Sequence, residues 1–181
     1  LIVVSTLSDK LFIVQFVFPC VIILLVKFWL TREKLYKNLL GKILGAMFLG
    51  WVLFRVIQKI DYINFSTSPT LYSFDKIGAS LQIFIEHNWS LLNSSVFGFL
   101  IVFVPSVSYL ISGYWLLKHF VRKEFEGMFF KNLGIFVFMS ATVLAPILNG
   151  SYEGFDCIRY TIGFYVIGLF VFPFVVFRKK N

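Results

Sequence analysis

Long apolar segments alternate with short polar segments along the whole chain. A helix needs roughly 17–25 residues to cross a bilayer, and five apolar segments are long enough: 11–30, 39–58, 91–117, 132–152 and 160–177. The third contains no charged residue, whereas the second carries Lys42 and Arg55 near its ends. Long basic side chains can reach the membrane surface from such positions. The pattern predicts one membrane domain, residues 1–181, with five transmembrane helices.

Two of the connecting segments also have helical spacing. Ser68-Pro69 is a typical start of a helix, and apolar residues follow it at intervals of three and four: Leu71, Phe74, Ile77, Leu81, Phe84 and Ile85. This segment predicts an amphipathic helix on the outer membrane surface, and segment 119–130 predicts a basic helix on the inner side. The predicted fold is an all-α integral membrane protein: a bundle of about five transmembrane helices with an outer amphipathic interfacial helix.

Composition supports a membrane protein. Hydrophobic residues make up 59% of the chain and charged residues 14%, whereas soluble domains carry about 25% charged residues. The net charge of +8 does not indicate a nucleic-acid partner, because the basic residues lie at the ends of apolar segments instead of on one polar surface.

The distribution of Lys and Arg predicts an orientation. Loops on the cytoplasmic side carry an excess of basic residues. Five basic residues fall on one predicted side: Lys10, Arg55, Lys59, Lys76 and Arg159. Twelve fall on the other: Lys27, Arg32, Lys34, Lys37, Lys42, Lys118, Arg122, Lys123, Lys131, Arg178, Lys179 and Lys180. We therefore expect the N-terminus outside and the C-terminus inside.

Pairs of small residues four positions apart mark faces on which membrane helices approach closely. Four such pairs lie in the predicted spans: Gly41 and Gly45, Ala46 and Gly50, Ser108 and Ser112, and Ala141 and Ala145. The pairs predict packing surfaces, with a partner either in this chain or in another subunit.

Candidate polar chemistry is limited to Arg55, Glu86 and His87. Glu86-His87 is either an acid–base couple or a polar pair at a helix end, and Arg55 is either an ion site or an interfacial anchor near Trp51. The predicted spans contain no Asp or Glu, which disfavours ion-coupled transport. His87 and His119 fall on opposite predicted sides, which disfavours a bis-histidine haem. No catalytic, cofactor-binding or metal-binding residue is predicted, and the expected bound small molecule is lipid.

Four asparagines on the predicted outer side begin N-x-S sequons: Asn64, Asn88, Asn93 and Asn149. They are glycosylation acceptors if the chain enters a secretory pathway. Chance is the alternative explanation, because Ser is frequent in these loops.

These features favour a non-catalytic, membrane-embedded subunit of a larger complex, of the respiratory or translocation type. The expected partners are other membrane subunits and lipids, in a hetero-complex. The alternative is a small-solute transporter or channel, for which a homo-oligomer is an option, and a membrane enzyme ranks third. The composition, rich in Lys and with 24 Phe, favours a mitochondrial or bacterial inner membrane, with the endoplasmic reticulum as the alternative.

Overall fold

The computed structural model describes residues 13–57, 74–148 and 158–176. All of these residues outside short turns are helical, in six α-helices after a π-helical turn at Ile13–Val17: α1 Phe18–Thr31, α2 Lys34–Ile57, α3 Phe74–Ser94, α4 Val96–Val121, α5 Gly127–Leu148 and α6 Ile158–Val176. The all-α prediction is confirmed for this part of the chain. The sequons at Asn64 and Asn149 and the Ser68-Pro69 pair lie outside the described residues.

Three helices, α2, α4 and α5, are long and apolar enough to cross a membrane, and α1 and α6 contribute shorter apolar stretches. Each predicted span overlaps one of these five helices. A membrane bundle is therefore consistent with the structure, while the count of five crossings stays a prediction.

The chain forms two compact units, residues 1–69 and 70–181. In the first unit, α1 packs against α2. Arg32 ends α1 in the left-handed conformation (φ 58°), and its N–H donates to the Phe28 carbonyl at 2.8 Å. This is a common way to satisfy a carbonyl at a helix end, and it lets α2 begin two residues later. We call α1 and α2 the hairpin unit.

The second unit contains α3 to α6, which we call the bundle unit. Its core forms where small side chains let helices approach closely. Gly168 of α6 lies so near Pro105 of α4 that a Cβ atom there would overlap the proline. A Cβ at Gly163 would lie 2.7 Å from Cγ2 of Thr142 in α5. Close approach at these two glycines holds α6 against both α4 and α5.

Helix α3 joins α4 through a single extended residue, Ser95 (φ −168°, ψ 166°), whose hydroxyl accepts a hydrogen bond from the Gly98 N–H at 3.0 Å. The apolar segment predicted as the third span, 91–117, therefore contains a helix boundary. Ser80 and His87 of α3 are buried, and α3 packs against α4 and α5. This helix is part of the bundle, and its position at a membrane surface stays a prediction.

The separate basic helix predicted over 119–130 is wrong. Helix α4 continues to Val121 and α5 begins at Gly127. The turn between them uses Lys123 in the left-handed conformation (φ 57°), and its N–H donates to the Phe120 carbonyl at 3.1 Å. The apolar residues of the segment lie at two helix ends and in the turn between them, where Phe125 contacts both Phe120 and Phe129 edge-on. Because these residues recur at helical spacing, their sequence pattern resembles that of one amphipathic helix.

Candidate functional site

A cavity of about 440 Å³ lies within the bundle unit. Its volume is in the range of about 300–1,000 Å³ that is typical of small-molecule sites. All four helices line it: Phe84, Ile85, Asn88, Trp89 and Leu92 of α3; Val102, Ser106 and Tyr109 of α4; Met139, Ser140, Val143 and Leu144 of α5; and Phe164 of α6. The lining is mainly aliphatic and aromatic, so the cavity is an apolar site with four polar residues.

The corner at Ser95 accounts for the position of the cavity. Phe84 lies roughly 16 Å from Ser95 along α3, and Tyr109 roughly 21 Å along α4, at about 1.5 Å per helical residue. Both residues line the same cavity, so α3 turns back and runs beside α4. The Tyr165 hydroxyl of α6 donates to Oδ1 of Asn88 at 2.9 Å and ties α3 to the bundle.

The hydroxyl groups in the lining are bonded to one another or to the backbone. Ser140 donates to the Phe136 carbonyl at 2.8 Å, so the Tyr109 hydroxyl, 2.9 Å from Ser140 Oγ, is the donor to it. The hydroxyl of Ser106 donates to the Val102 carbonyl of its own helix at 2.7 Å.

Asn88 completes the set of polar lining residues. Its Nδ2 donates to the Phe84 carbonyl at 2.8 Å, and its Oδ1 accepts from Tyr165. The cavity therefore presents few polar atoms that still need a partner. Asn88 is also the first residue of a sequon, and both polar atoms of its side-chain amide are hydrogen-bonded in the structure.

The predicted packing residues lie outside the cavity lining, and the structure places them differently from one another. Ser108 is fully buried, and its hydroxyl lies 2.9 Å from two carbonyl acceptors, that of Val104 in its own helix and that of Gly168 in α6. Ser112 and Ala145 are buried as well, whereas Ala141 is partly buried.

On α2 the four small residues divide between two sides. Gly41 and Gly45 are exposed, and a Cβ on either would meet no atom within 4 Å. Ala46 is partly buried and Gly50 is buried. At about 3.6 residues per turn, Gly50 faces nearly opposite to Gly41. The four residues therefore do not form one continuous strip.

The candidate polar residues Arg55, Glu86 and His87 lie on separate surfaces. The exposed guanidinium of Arg55 stacks over Trp51, 5.6 Å from the ring centre. Glu86 is exposed and accepts a hydrogen bond from Gln82 Nε2 at 2.8 Å. His87 is buried, and burial lowers the pKa of its imidazole. Consecutive helix residues point about 100° apart, so Glu86 and His87 leave α3 on different faces.

Sequence reasoning did not identify the polar cavity residues Ser106, Tyr109 and Ser140. One signal was available: Ser106 and Tyr109 are three residues apart, which places them on one face of α4. The partner, Ser140, comes from another helix, and its pairing with Tyr109 depends on how α4 and α5 pack.

Within the described residues, three helices are by length and composition apolar enough to cross a bilayer. This is compatible with a membrane protein of the all-α class. No protein-family model, curated protein or solved structure matches this chain.

Proposed function

We propose that the protein is a non-catalytic, membrane-embedded subunit of a larger membrane complex. The observation that carries the proposal is the exposure of the hairpin unit. Among residues 15–56 only Val17, Pro19 and Gly50 are buried. Large apolar side chains on α2, including Phe48 and Trp51, are exposed. Two helices cannot enclose a core of their own, so this surface needs a cover, which lipid, another subunit or another part of this chain can supply.

The exposed face of α2 at Gly41 and Gly45 favours another subunit as one of the components that cover the hairpin unit. Neither glycine has an atom within 4 Å of the place where a Cβ would stand, and both point away from the buried Gly50. Small residues at this spacing allow the backbone of a second helix to approach closely. Phe48 lies on the same face, seven residues after Gly41, and offers a large aromatic contact.

The test is the composition of the complex purified from its own membrane. Replacing Gly45 by Leu places a branched side chain on the open face, where its Cβ meets no atom of the chain within 4 Å. We expect native mass spectrometry of the wild type to show fixed additional subunits, and the Gly45→Leu variant to lose them. Gly78→Leu is the matched control, because Gly78 of α3 is also exposed with no atom within 4 Å. The Gly78→Leu variant should retain all of the additional subunits.

A homo-oligomer of fixed size without other subunits would contradict the proposal and support a transporter or channel. Retention of all subunits by the Gly45→Leu variant would show that this face is not the contact.

The proposed topology has five crossings, with the N-terminus outside and the C-terminus inside. Its support is the division of basic residues, twelve against five. In a chain from which Cys20 and Cys157 have been removed, single cysteines at Glu33 and Glu124 should react with an impermeant maleimide only after permeabilisation. Cysteines at Ser68 and Gly154 should react in intact cells or vesicles. Protection of Ser68 alone would mean that α3, which runs back beside α4, is itself a crossing. Labelling at Glu124 from outside would overturn the arrangement.

A further inference from the structure

The cavity of the bundle unit has an apolar opening. Ile85 and Trp89 of α3 are 58% and 68% exposed, and Leu144 of α5 is 50% exposed, although all three also line the cavity. Met139, Val102 and Phe164 in the same lining are buried. The cavity therefore opens sideways between α3 and α5 and is closed toward the core.

The hydrogen bonds of the lining residues determine which class of ligand the cavity can bind. Tyr109 donates to Ser140, Ser140 donates to the Phe136 carbonyl, and Ser106 donates to the Val102 carbonyl. A polar solute would lose its own hydration and find few partners here. Buried water needs two to four polar partners as well. The lining thus favours a ligand that makes only dispersion contacts.

The medium around the cavity determines which apolar ligand is available to it. The cavity lies along α4 and α5, two helices that are apolar enough to cross a membrane. At such positions the neighbouring medium is hydrocarbon, and an empty space would cost the lining its dispersion contacts. We propose that this cavity holds one hydrocarbon chain of a bilayer lipid, which enters between α3 and α5. This inference needs α3 to lie within the membrane beside α4, in place of the surface position predicted from the sequence, and it does not depend on the proposed partner subunits.

Photolabelling of the full chain tests the proposal. The protein is reconstituted in phosphatidylcholine nanodiscs that contain a phosphatidylcholine with a diazirine midway along one acyl chain. Irradiation and peptide mapping should find adducts at Tyr109 and Ser140 inside the cavity, and at Phe103 on the exposed side of α4. A nanodisc with a diazirine fatty acid in place of the labelled phospholipid distinguishes the two sources of a hydrocarbon chain.

A variant that fills the cavity provides the control. Ser106→Phe places a ring in the space, and its hydroxyl bonds only within α4, so no bond between helices is broken. We expect the adducts at Tyr109 and Ser140 to be lost and the adduct at Phe103 to remain. Ser90→Phe, at an exposed position of α3 outside the lining, should keep all three. Ser106→Leu takes the place of Ser106→Phe if the latter does not elute as a single species.

Three results would overturn the proposal. The first is labelling of Phe103 without labelling of Tyr109 or Ser140 in the wild type. The second is equal cavity labelling in the folded Ser106 variant and in Ser90→Phe. The third is cavity labelling by the fatty acid alone, which would mean that the ligand does not come from the bilayer phospholipid.

Discussion

The hairpin unit and the bundle unit use similar apolar sequences in different ways. In the most apolar stretch of α2, 6% of the residues are buried, against 39% in the most apolar stretch of α5. The bundle unit joins its helices through glycine contacts and hydrogen bonds, such as that from Ser108 to the Gly168 carbonyl. On α2, by contrast, the glycines at 41 and 45 face open space.

The difference shows that a pair of small residues does not by itself identify a contact within the chain. In a membrane, lipid is as apolar as leucine, so helices associate through close packing and hydrogen bonds. The bundle unit has these interactions internally. In the hairpin unit Gly41 and Gly45 are exposed, which leaves them available to a partner.

The largest expected effect comes from adding one methyl group in each unit. Gly168→Ala places a Cβ against Pro105, so α4 and α6 must separate. We expect a loss of about 1–3 kcal/mol in the free energy of unfolding, typical of an overpacked core. Gly45→Ala meets no atom and should leave the stability of the isolated chain unchanged or raise it by up to about 1 kcal/mol, because Ala loses less conformational entropy than Gly in a helix.

Unfolding in mixed detergent micelles, followed by circular dichroism, measures both variants. Equal losses at the two positions would remove the distinction between the units. A Gly168→Ala variant as stable as the wild type would mean that α4 and α6 do not approach as closely as described.

The second effect concerns a hydrogen bond between helices. Ser108→Ala removes, in a fully buried position, a donor that is shared between the Gly168 carbonyl of α6 and the Val104 carbonyl of its own helix. Hydrogen bonds between membrane helices contribute roughly 0.6 kcal/mol on average and up to about 1.7, and we expect a loss in this range from the same unfolding measurement. Ser106→Ala is the control, since its hydroxyl bonds to its own helix. A larger loss for Ser106→Ala would contradict the assignment.

The smallest effect is local to α3. Tyr165→Phe removes the bond to Asn88, which ties α3 to α6. Local opening of α3 should become easier by about 1 kcal/mol, which is roughly a fivefold faster hydrogen exchange at its amides. Tyr114→Phe, at an exposed position of α4, should leave exchange in α3 unchanged. Unchanged exchange in the Tyr165 variant would mean that α3 is held by packing alone.

Much of the helical architecture could be predicted from the sequence, because an apolar run of membrane length has few structures other than a helix. The helix boundaries were harder to place. The run from Leu91 onward has no charge, so the corner at Ser95 was missed. The residues Asn93-Ser94-Ser95 did contain a signal, since Ser is favoured where a helix begins. The predicted basic helix over 119–130 failed for the opposite reason, because two helix ends together imitated one amphipathic pattern.

The candidate site could not be predicted in the same way. The cavity depends on α3 turning back along α4, and this follows from one extended residue and from the bond between Tyr165 and Asn88. The close contacts in the core form at Gly163 and Gly168, whose neighbours come from other helices. Ser108 was the one predicted packing residue whose partner, Gly168, is visible as a hydrogen bond between helices. Spacing along one helix cannot specify such partners.

We propose that a partner subunit covers the hairpin unit and that lipid covers the outside of the bundle unit. Photocrosslinking in the native membrane tests it directly. A p-benzoyl-phenylalanine replaces Phe48 of α2, which is 66% exposed, or Phe103 of α4, which is 47% exposed. Position 48 should give a protein adduct of defined mass, and position 103 should give only lipid adducts. Lipid adducts alone at position 48, or a protein adduct at position 103 without one at 48, would contradict the claim.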